Sequence, residues 1–197
     1  MKERLEKYYT WVEQNFPHLK DCLNKGATAE EISELEQTLG FSLPEDYREF
    51  LRIHNGQKSH QETGVEGLLG GWTLLSIKDV IQTWEDWNSL QRDFEIGGVE
   101  FEITSQGHVK PMMWNRHWVP FLVRDGSSLY CIDADPADNG KVGQIILFDH
   151  DGDTRKVFAD NFTMWFEAFL STVEEGHYKV YKIDSNEMYF ETKLISY

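Results

Sequence analysis

Cysteine is scarce in this sequence: Cys22 and Cys131 are the only two among 197 residues. A single pair is not a disulfide framework, and neither residue belongs to a C-x-x-C motif. We therefore expect two ordinary buried or half-buried thiols in a protein of a reducing compartment.

Long apolar stretches are also missing. No segment approaches the roughly 18 consecutive apolar residues that a membrane span requires. The first residues, MKERLEKYYTWVEQNF, lack the apolar centre of a secretory signal peptide. The sequence therefore predicts a cytoplasmic protein that makes no contact with a membrane.

Positive charge is the third deficit. The chain has 19 Lys and Arg against 34 Asp and Glu, which gives a formal net charge of -15 at pH 7. Such a field repels phosphates, so a nucleic-acid-binding role is disfavoured. The same field would speed the encounter with a basic partner. The alternative is that the acidity only keeps the protein soluble.

The residues that are present suit a globular protein, because 40% are hydrophobic and 14% aromatic, with seven Trp. The segment from Gly26 to Gly56 reads as a helical hairpin. Thr28 begins a capping box, and Gly40 suits a left-handed helix end. Pro44 fits the first turn of a second helix, which Asn55-Gly56 ends.

This hairpin carries a resemblance to a known family. The pattern E-x-x-L-G-x-x-L-P-x-x-Y-x-x-F-L-x-x-x-N-G runs from Glu36 to Gly56. A second block follows in the order Trp114-Asn115, Trp118-Val119-Pro120-Phe121, Asp125-Gly126, Asp133, Pro136, Gly140 and Gly143-Gln144. Together they resemble the SUKH superfamily, which contains Smi/Knr-type fungal cell-wall assembly regulators and bacterial immunity proteins. The best match covers 26–176.

Helices followed by closely spaced strands indicate an α+β protein, a twisted, mainly antiparallel sheet with helices packed around it, as the resemblance also implies. We expect one domain over 1–197, with 177–197 as a C-terminal extension that adds an edge strand. Short turns favour a meander. Its predicted strands are Trp118 to Val123, Ser128 to Asp133, Gly143 to Phe148 and Lys156 to Ala159. Helices are predicted at Lys2 to Phe16, after Ser76 and after Asn161, and a strand pair is predicted around Gly97-Gly98.

Two acidic motifs could carry chemistry. Asp133 and Asp135 should point to one side of a strand end, where a carboxylate pair can serve acid–base catalysis or a metal, or can accept backbone hydrogen bonds in a turn. The run Asp149 to Asp153 resembles half of a calcium loop, but Thr154 and Asp160 replace the required Gly and Glu. We favour a solvated turn for Asp149 to Asp153. Asp133 falls on an acidic position of the family pattern, where the resemblance implies a structural or partner-binding role, and we predict no catalytic residue, no metal and no cofactor.

A partner-binding surface is the remaining candidate. Trp72 and Trp114 are either core residues or interface hot spots. Asp133, Asp135 and Asp138 should form one acidic edge of the meander, which we favour as the partner site. The alternative edge, at the other end of the strands, would carry Asp125, Asp149, Asp151 and Asp153.

The resemblance implies a binding protein and no enzyme. We expect an immunity protein that occludes a basic toxin domain, often a nuclease, because the net charge is -15 and the sequence has no catalytic constellation. Eukaryotic members, by the same resemblance, carry long disordered flanks that this sequence lacks. The alternative is a regulatory scaffold related to cell-wall assembly regulators. A third possibility is an enzyme that uses Asp133 and Asp135.

Overall fold

The computed structural model describes residues 1–65, 67–182 and 188–192. The α-helices in these residues are α1 (Lys2–Asn15), α2 (Ala29–Leu39), α3 (Glu45–Ile53), α4 (His60–Thr63), α5 (Ile77–Gly97) and α6 (Phe162–Glu174), and a 3-10 helix, Pro17–Leu19, follows α1. The strands are β1 (Thr73–Leu74), β2 (Thr104–Gln106), β3 (Trp118–Arg124), β4 (Ser128–Asp133), β5 (Gln144–Phe148), β6 (Thr154–Ala159), β7 (Tyr178–Lys182) and β8 (Met188–Thr192). The α+β prediction is confirmed.

The main sheet has the strand order β1-β3-β4-β5-β6-β2. Its centre is the predicted antiparallel meander, in which β3, β4, β5 and β6 pair in turn. Only the edge strand β2 runs parallel to its neighbour, β6. Because Trp118 pairs with Asp133 and Asp133 with Gln144, the loop after β4 and the start of β3 share one end of the sheet.

Aromatic side chains attach helices to both faces of the sheet. On one face, Trp165 of α6 contacts Phe121 and Tyr130, with ring centroids 5.0 and 5.9 Å apart. On the other face, Trp87 of α5 lies 4.5 Å from Phe148 by ring centroids. The segment before β3 lies on this second face, since Trp114 also contacts Phe148, at 5.2 Å.

The helical hairpin has the predicted signals at its ends. Thr28 and Glu31 complete a capping box, and Gly40 ends α2 with a left-handed φ of 82°. Pro44 stands one residue earlier than predicted, as the N-cap of α3. Gly56 has φ of 73°, and a Cβ built there would lie 2.6 Å from Ser76 Cα. Glycine is therefore required at this position by backbone conformation and by space.

The predicted strand pair around Gly97-Gly98 is wrong. The helix α5 continues through Gly97 and ends on Gly98, which has a left-handed φ of 65°. The alternation of apolar residues has a different origin, because Phe94 on the helix packs against Phe101 beyond it, with ring centroids 4.9 Å apart. Periodicity of two over so short a stretch does not exclude a helix end.

The described part of the C-terminal extension forms a separate two-stranded sheet, β7-β8, and not the predicted edge strand of the main sheet. Phe190 of β8 is buried against Trp11 and Phe16, with ring centroids 5.0 and 5.1 Å away. The parts of the predicted extension at 183–187 and 193–197 lie outside the described residues. Among the residues described, no helix combines the length and apolar character that crossing a membrane demands.

Candidate partner-binding site

Two separate sequence segments meet at the end of the sheet where β4 stops. The turn between α2 and α3 reaches this end, because a Cβ at Gly143 would lie 3.0 Å from Pro44 Cγ. The ring of Phe41 also lies 5.4 Å from the ring of His117. The two blocks that carry the family resemblance are therefore neighbours in space.

Asp133 is buried at the centre of this end, with no exposed surface. Its Oδ2 accepts a hydrogen bond of 2.8 Å from Gln144 Nε2, and its Oδ1 accepts one of 3.0 Å from the Asp135 backbone N–H. Burial raises the pKa of the Asp133 carboxyl, although these two hydrogen bonds oppose the shift. The side chain therefore holds the end of β4 and offers no surface to a partner.

Asp135 lies at the surface but its charge is already paired. Lys110 Nζ donates to Oδ1 at 2.6 Å, and Asn115 Nδ2 donates to Oδ2 at 3.0 Å. Partial burial of Asp135 opposes ionisation, but the hydrogen bonds and the positive charge of Lys110 hold its pKa below the ordinary value. Asp135 thus joins the loop after β4 to the segment before β3.

Asp138 is the exposed carboxylate of the loop. The loop is fixed on both sides of it, since Ala137 N donates to His108 O at 3.1 Å and Gln144 Nε2 donates to the same oxygen at 2.8 Å. Lys141 pairs with Asp160 beyond the loop. Of the three predicted acidic residues, the structure leaves Asp138 as the one that can meet a partner with an unpaired charge.

The predicted hot-spot tryptophans are core residues in this structure. Trp72 has no exposed surface and packs edge-on against Tyr130, with ring centroids 4.7 Å apart. Trp114 is 1% exposed and stacks on Trp87 at 5.7 Å. The packing alternative therefore describes both side chains, and neither offers a surface to a partner.

Sequence reasoning missed a cleft of about 740 Å³ between α5 and the segment Met112–Arg116. Its floor contains the indoles of Trp84 and Trp114, which donate to Arg116 O at 2.7 Å and to Asn88 Oδ1 at 3.1 Å. Asn115 lines the cleft and also binds Asp135, so the cleft adjoins the loop that bears Asp138. The sequence predicted a strand where the last turns of α5 lie, so it gave no indication that these turns form one wall of a cleft.

Arg155 is a second residue that sequence reasoning missed. It is fully buried on β6, and its guanidinium lies 4.7 Å from the centroid of Phe148. It donates to four backbone oxygens, those of Met112, Met113, Asp149 and Gly152, at 3.0 to 3.2 Å. An arginine in an alternating strand gives no signal of this role, which depends on the fold of two distant loops.

The former calcium candidate forms a tight cluster in the described part of the chain. Ligand atoms of Asp149, His150 and Asp151 all lie within 4.8 Å of one another. Asp151 N donates to Asp149 Oδ1 at 3.2 Å, as in the turn that the sequence favoured. This turn lies at the opposite end of the sheet from Asp138.

Comparison with known proteins identifies a family model and several relatives that the chain matches. A model of the SMI1/KNR4 family (SUKH-1) matches residues 26–168, which is more than half of the chain. The chain is 29% identical to the "Glucan synthesis regulatory protein" of Neurospora crassa, over 93% of this chain and 40% of the relative. It is 30% identical to the "Cell wall biosynthesis/cell cycle regulator smi1" of Schizosaccharomyces pombe, over 89% of this chain and 36% of the relative.

A third relative, the "Cell wall assembly regulator SMI1" of Saccharomyces cerevisiae, is 24% identical over 91% of this chain and 41% of its own length. The chain thus spans 36% to 41% of the length of these three relatives. All three are named as regulators. The comparisons therefore favour the regulatory alternative and do not support the toxin-neutralising role that we expected from the sequence.

Proposed function

The chain belongs to the SMI1/KNR4 family (SUKH-1), and on that premise we propose that it is a non-catalytic, protein-binding regulatory module. The observation that carries the proposal is the state of Asp133, the strongest catalytic candidate in the sequence. It has no exposed surface, and each of its carboxylate oxygens accepts a structural hydrogen bond. A carboxylate held in this way stabilises a loop and is not free to exchange protons with a substrate.

We place the partner surface at the end of the sheet that bears Asp138. Its loop is anchored to His108, and Asp135 links it to the cleft beside α5 through Asn115. Because the loop is already fixed before binding, it loses less conformational entropy when a partner binds than a flexible loop would. The exposed Asp138 on a chain of charge -15 favours a partner with basic groups at this contact.

The names of the relatives support regulation of cell-wall assembly as the process in which the module acts. The test is a chimera in which this chain replaces the matching segment of the Schizosaccharomyces pombe relative. We expect the chimera to restore growth of a strain without that relative on a cell-wall-stressing dye. A chimera that accumulates normally and restores nothing would contradict the proposed role.

The catalytic alternative has its own test in the same chimera. Asp133→Asn keeps the shape of the side chain and removes the carboxylate that acid–base chemistry would require. We expect growth to be unchanged wherever the variant protein accumulates to the normal level. Loss of growth at a normal protein level would return Asp133 to a functional role.

A further inference from the structure

We propose that the cleft between α5 and Met112–Arg116 binds an extended peptide segment that carries a basic side chain. The inference rests on the proposed protein-binding function and names the kind of segment that is bound. The cleft has a volume of about 740 Å³, which falls within the range of ligand-binding pockets in proteins.

The length of the cleft fits a short extended chain. Trp84, Asn88, Gln91 and Glu95 line it and fall on one stripe of α5. At a rise of 1.5 Å per residue this stripe is about 16 Å long, which equals roughly five residues of a β-strand. The cleft is therefore long enough to follow about five residues of an extended backbone.

Unused hydrogen-bonding groups in the wall match a peptide backbone. Asn88 Oδ1 accepts from the Trp114 indole, which can only donate, so the Asn88 amide orientation is fixed and its Nδ2 has no partner. Gln91 Nε2 donates to Glu95 Oε1, so its Oε1 is an acceptor that has no partner. One free donor and one free acceptor, one helical turn apart, complement the C=O and N–H of an amide.

Both of these atoms are buried within the wall of the cleft. An unpaired buried donor or acceptor costs free energy, and a ligand recovers that cost when a small side-chain movement exposes the group to it. The unmet hydrogen bonds therefore favour a ligand that is rich in amides over an apolar one.

The charged side chains of the lining favour a basic ligand over an acidic one. Glu85, Asp86 and Glu95 place three carboxylates there and Arg92 and Arg116 place two guanidinium groups, so the excess of negative charge favours a basic side chain over a phosphate.

The floor and the sides exclude two further classes. Trp84 and Trp114 are 9% and 1% exposed, so neither indole presents an open face on which a sugar ring could stack. Met112 is the exposed large apolar residue of the lining, so an amphipathic helix would find one anchor point there and not the row of apolar contacts that it requires.

The test uses a phage-displayed library of random peptides, selected on the full chain and followed by synthesis of the enriched peptides. We expect the enriched peptides to contain Lys or Arg. When such a peptide binds, the side-chain amide signal of Asn88 should shift in a 15N–1H correlation spectrum. Ser89→Trp fills the exposed side of the cleft and should abolish this binding. Glu85→Lys should weaken it roughly five-fold, as loss of a single charge pair does.

The matched control is Glu6→Lys on α1, which packs on the opposite face of the sheet through α6. Glu6 and Glu85 are both exposed helical glutamates, and both substitutions change the net charge equally. The proposal is overturned if no peptide is enriched, if Ser89→Trp leaves binding unchanged, if Glu6→Lys acts as strongly as Glu85→Lys, or if a gluco-oligosaccharide displaces the peptide.

The test also separates this inference from the proposed function. If Asp138→Lys weakens binding of the natural partner while the peptide selections fail, the surface proposal stands and the cleft proposal falls. If Ser89→Trp abolishes binding of the natural partner while Asp138→Lys has no effect, the cleft is the contact and the placement at Asp138 is wrong.

Discussion

The backbone N–H of Asp135 donates to Asp133 Oδ1 at 3.0 Å, so two aspartates that are two residues apart share one turn and have opposite environments. Asp133 is fully buried, and burial raises its pKa. Asp135 lies at the surface, where Lys110 and Asn115 hold its pKa low. The pair that suggested catalysis in the sequence is a structural turn joined to a surface ion pair.

The first prediction concerns pH. A raised pKa in the folded state means that the folded protein binds a proton more tightly, so the contribution of Asp133 to stability falls as pH rises above the ordinary value of 3.8. The pKa of Asp135 is lowered, so its contribution is lost as pH falls below 3.8. The difference in unfolding free energy between the wild type and Asp133→Asn should therefore decrease as pH rises above 3.8. The difference between the wild type and Asp135→Asn should increase as pH rises towards 3.8 from below. Urea titrations across this range that gave slopes of the same sign would contradict the assignment.

The second prediction separates backbone strain from steric overlap. Gly40→Val and Gly56→Val both place a β-branched residue at positive φ, but a Cβ at Gly40 has nothing within 4 Å. At Gly56 the same atom would lie 2.7 Å from the Leu75 carbonyl carbon. We expect a loss of about 1–2 kcal/mol at Gly40 and about 3–5 kcal/mol at Gly56 in denaturant melts. Equal losses would show that the contact with Leu75 and Ser76 relaxes freely.

The third prediction concerns Trp118, which has no exposed surface and lies among Trp114 and Phe148 at ring distances of 5.8 and 6.3 Å. Trp118→Ala should cost about 3–5 kcal/mol of unfolding free energy, as large aromatic truncations in a core do. Trp118→Phe retains a ring in the cluster and should cost less. A Trp118→Ala variant with unchanged stability and weakened partner binding would move this residue to the interface.

The fourth prediction concerns the buried Arg155, which ties the Met112–Met113 segment to the turn after β5. Arg155→Lys keeps the positive charge, but the single ammonium group of lysine cannot donate to all four carbonyl oxygens. We expect a loss of about 2–4 kcal/mol and faster amide hydrogen exchange in residues 112–116. The control Arg116→Lys, at an exposed site in the same segment, should change neither quantity; matching effects of the two variants would contradict the account.

Local signals in the sequence predicted much of the fold. The capping box at Thr28, the left-handed Gly40 and the four meander strands each depend on neighbouring residues, and each is present. The helix α5 was cut short because Phe94 and Phe101 alternate with polar residues for a tertiary reason, their contact across the helix end. A pattern that arises from packing between segments cannot be separated from strand periodicity in one sequence.

The site was less predictable than the fold. Antiparallel pairing predicts which turns share an end of the meander, but neither the burial of Asp133 nor the ion pair between Lys110 and Asp135 follows from it. Both facts depend on the segment before β3, whose path is set by Arg155 and Trp114. A net charge of -15 suits an immunity protein and a regulatory protein equally, so the charge did not separate the two roles.

The most direct test of a protein-binding surface at Asp138 is the rate of association with the partner captured from the native cells. Three versions of the full chain are compared at low ionic strength: the wild type, Asp138→Lys, and Asp151→Lys as the control at the opposite end of the sheet, where the Asp151 side chain is 85% exposed. The account predicts that Asp138→Lys slows association several-fold, that Asp151→Lys associates at the wild-type rate, and that both fold normally. An Asp138→Lys variant that associates as fast as the wild type would contradict it.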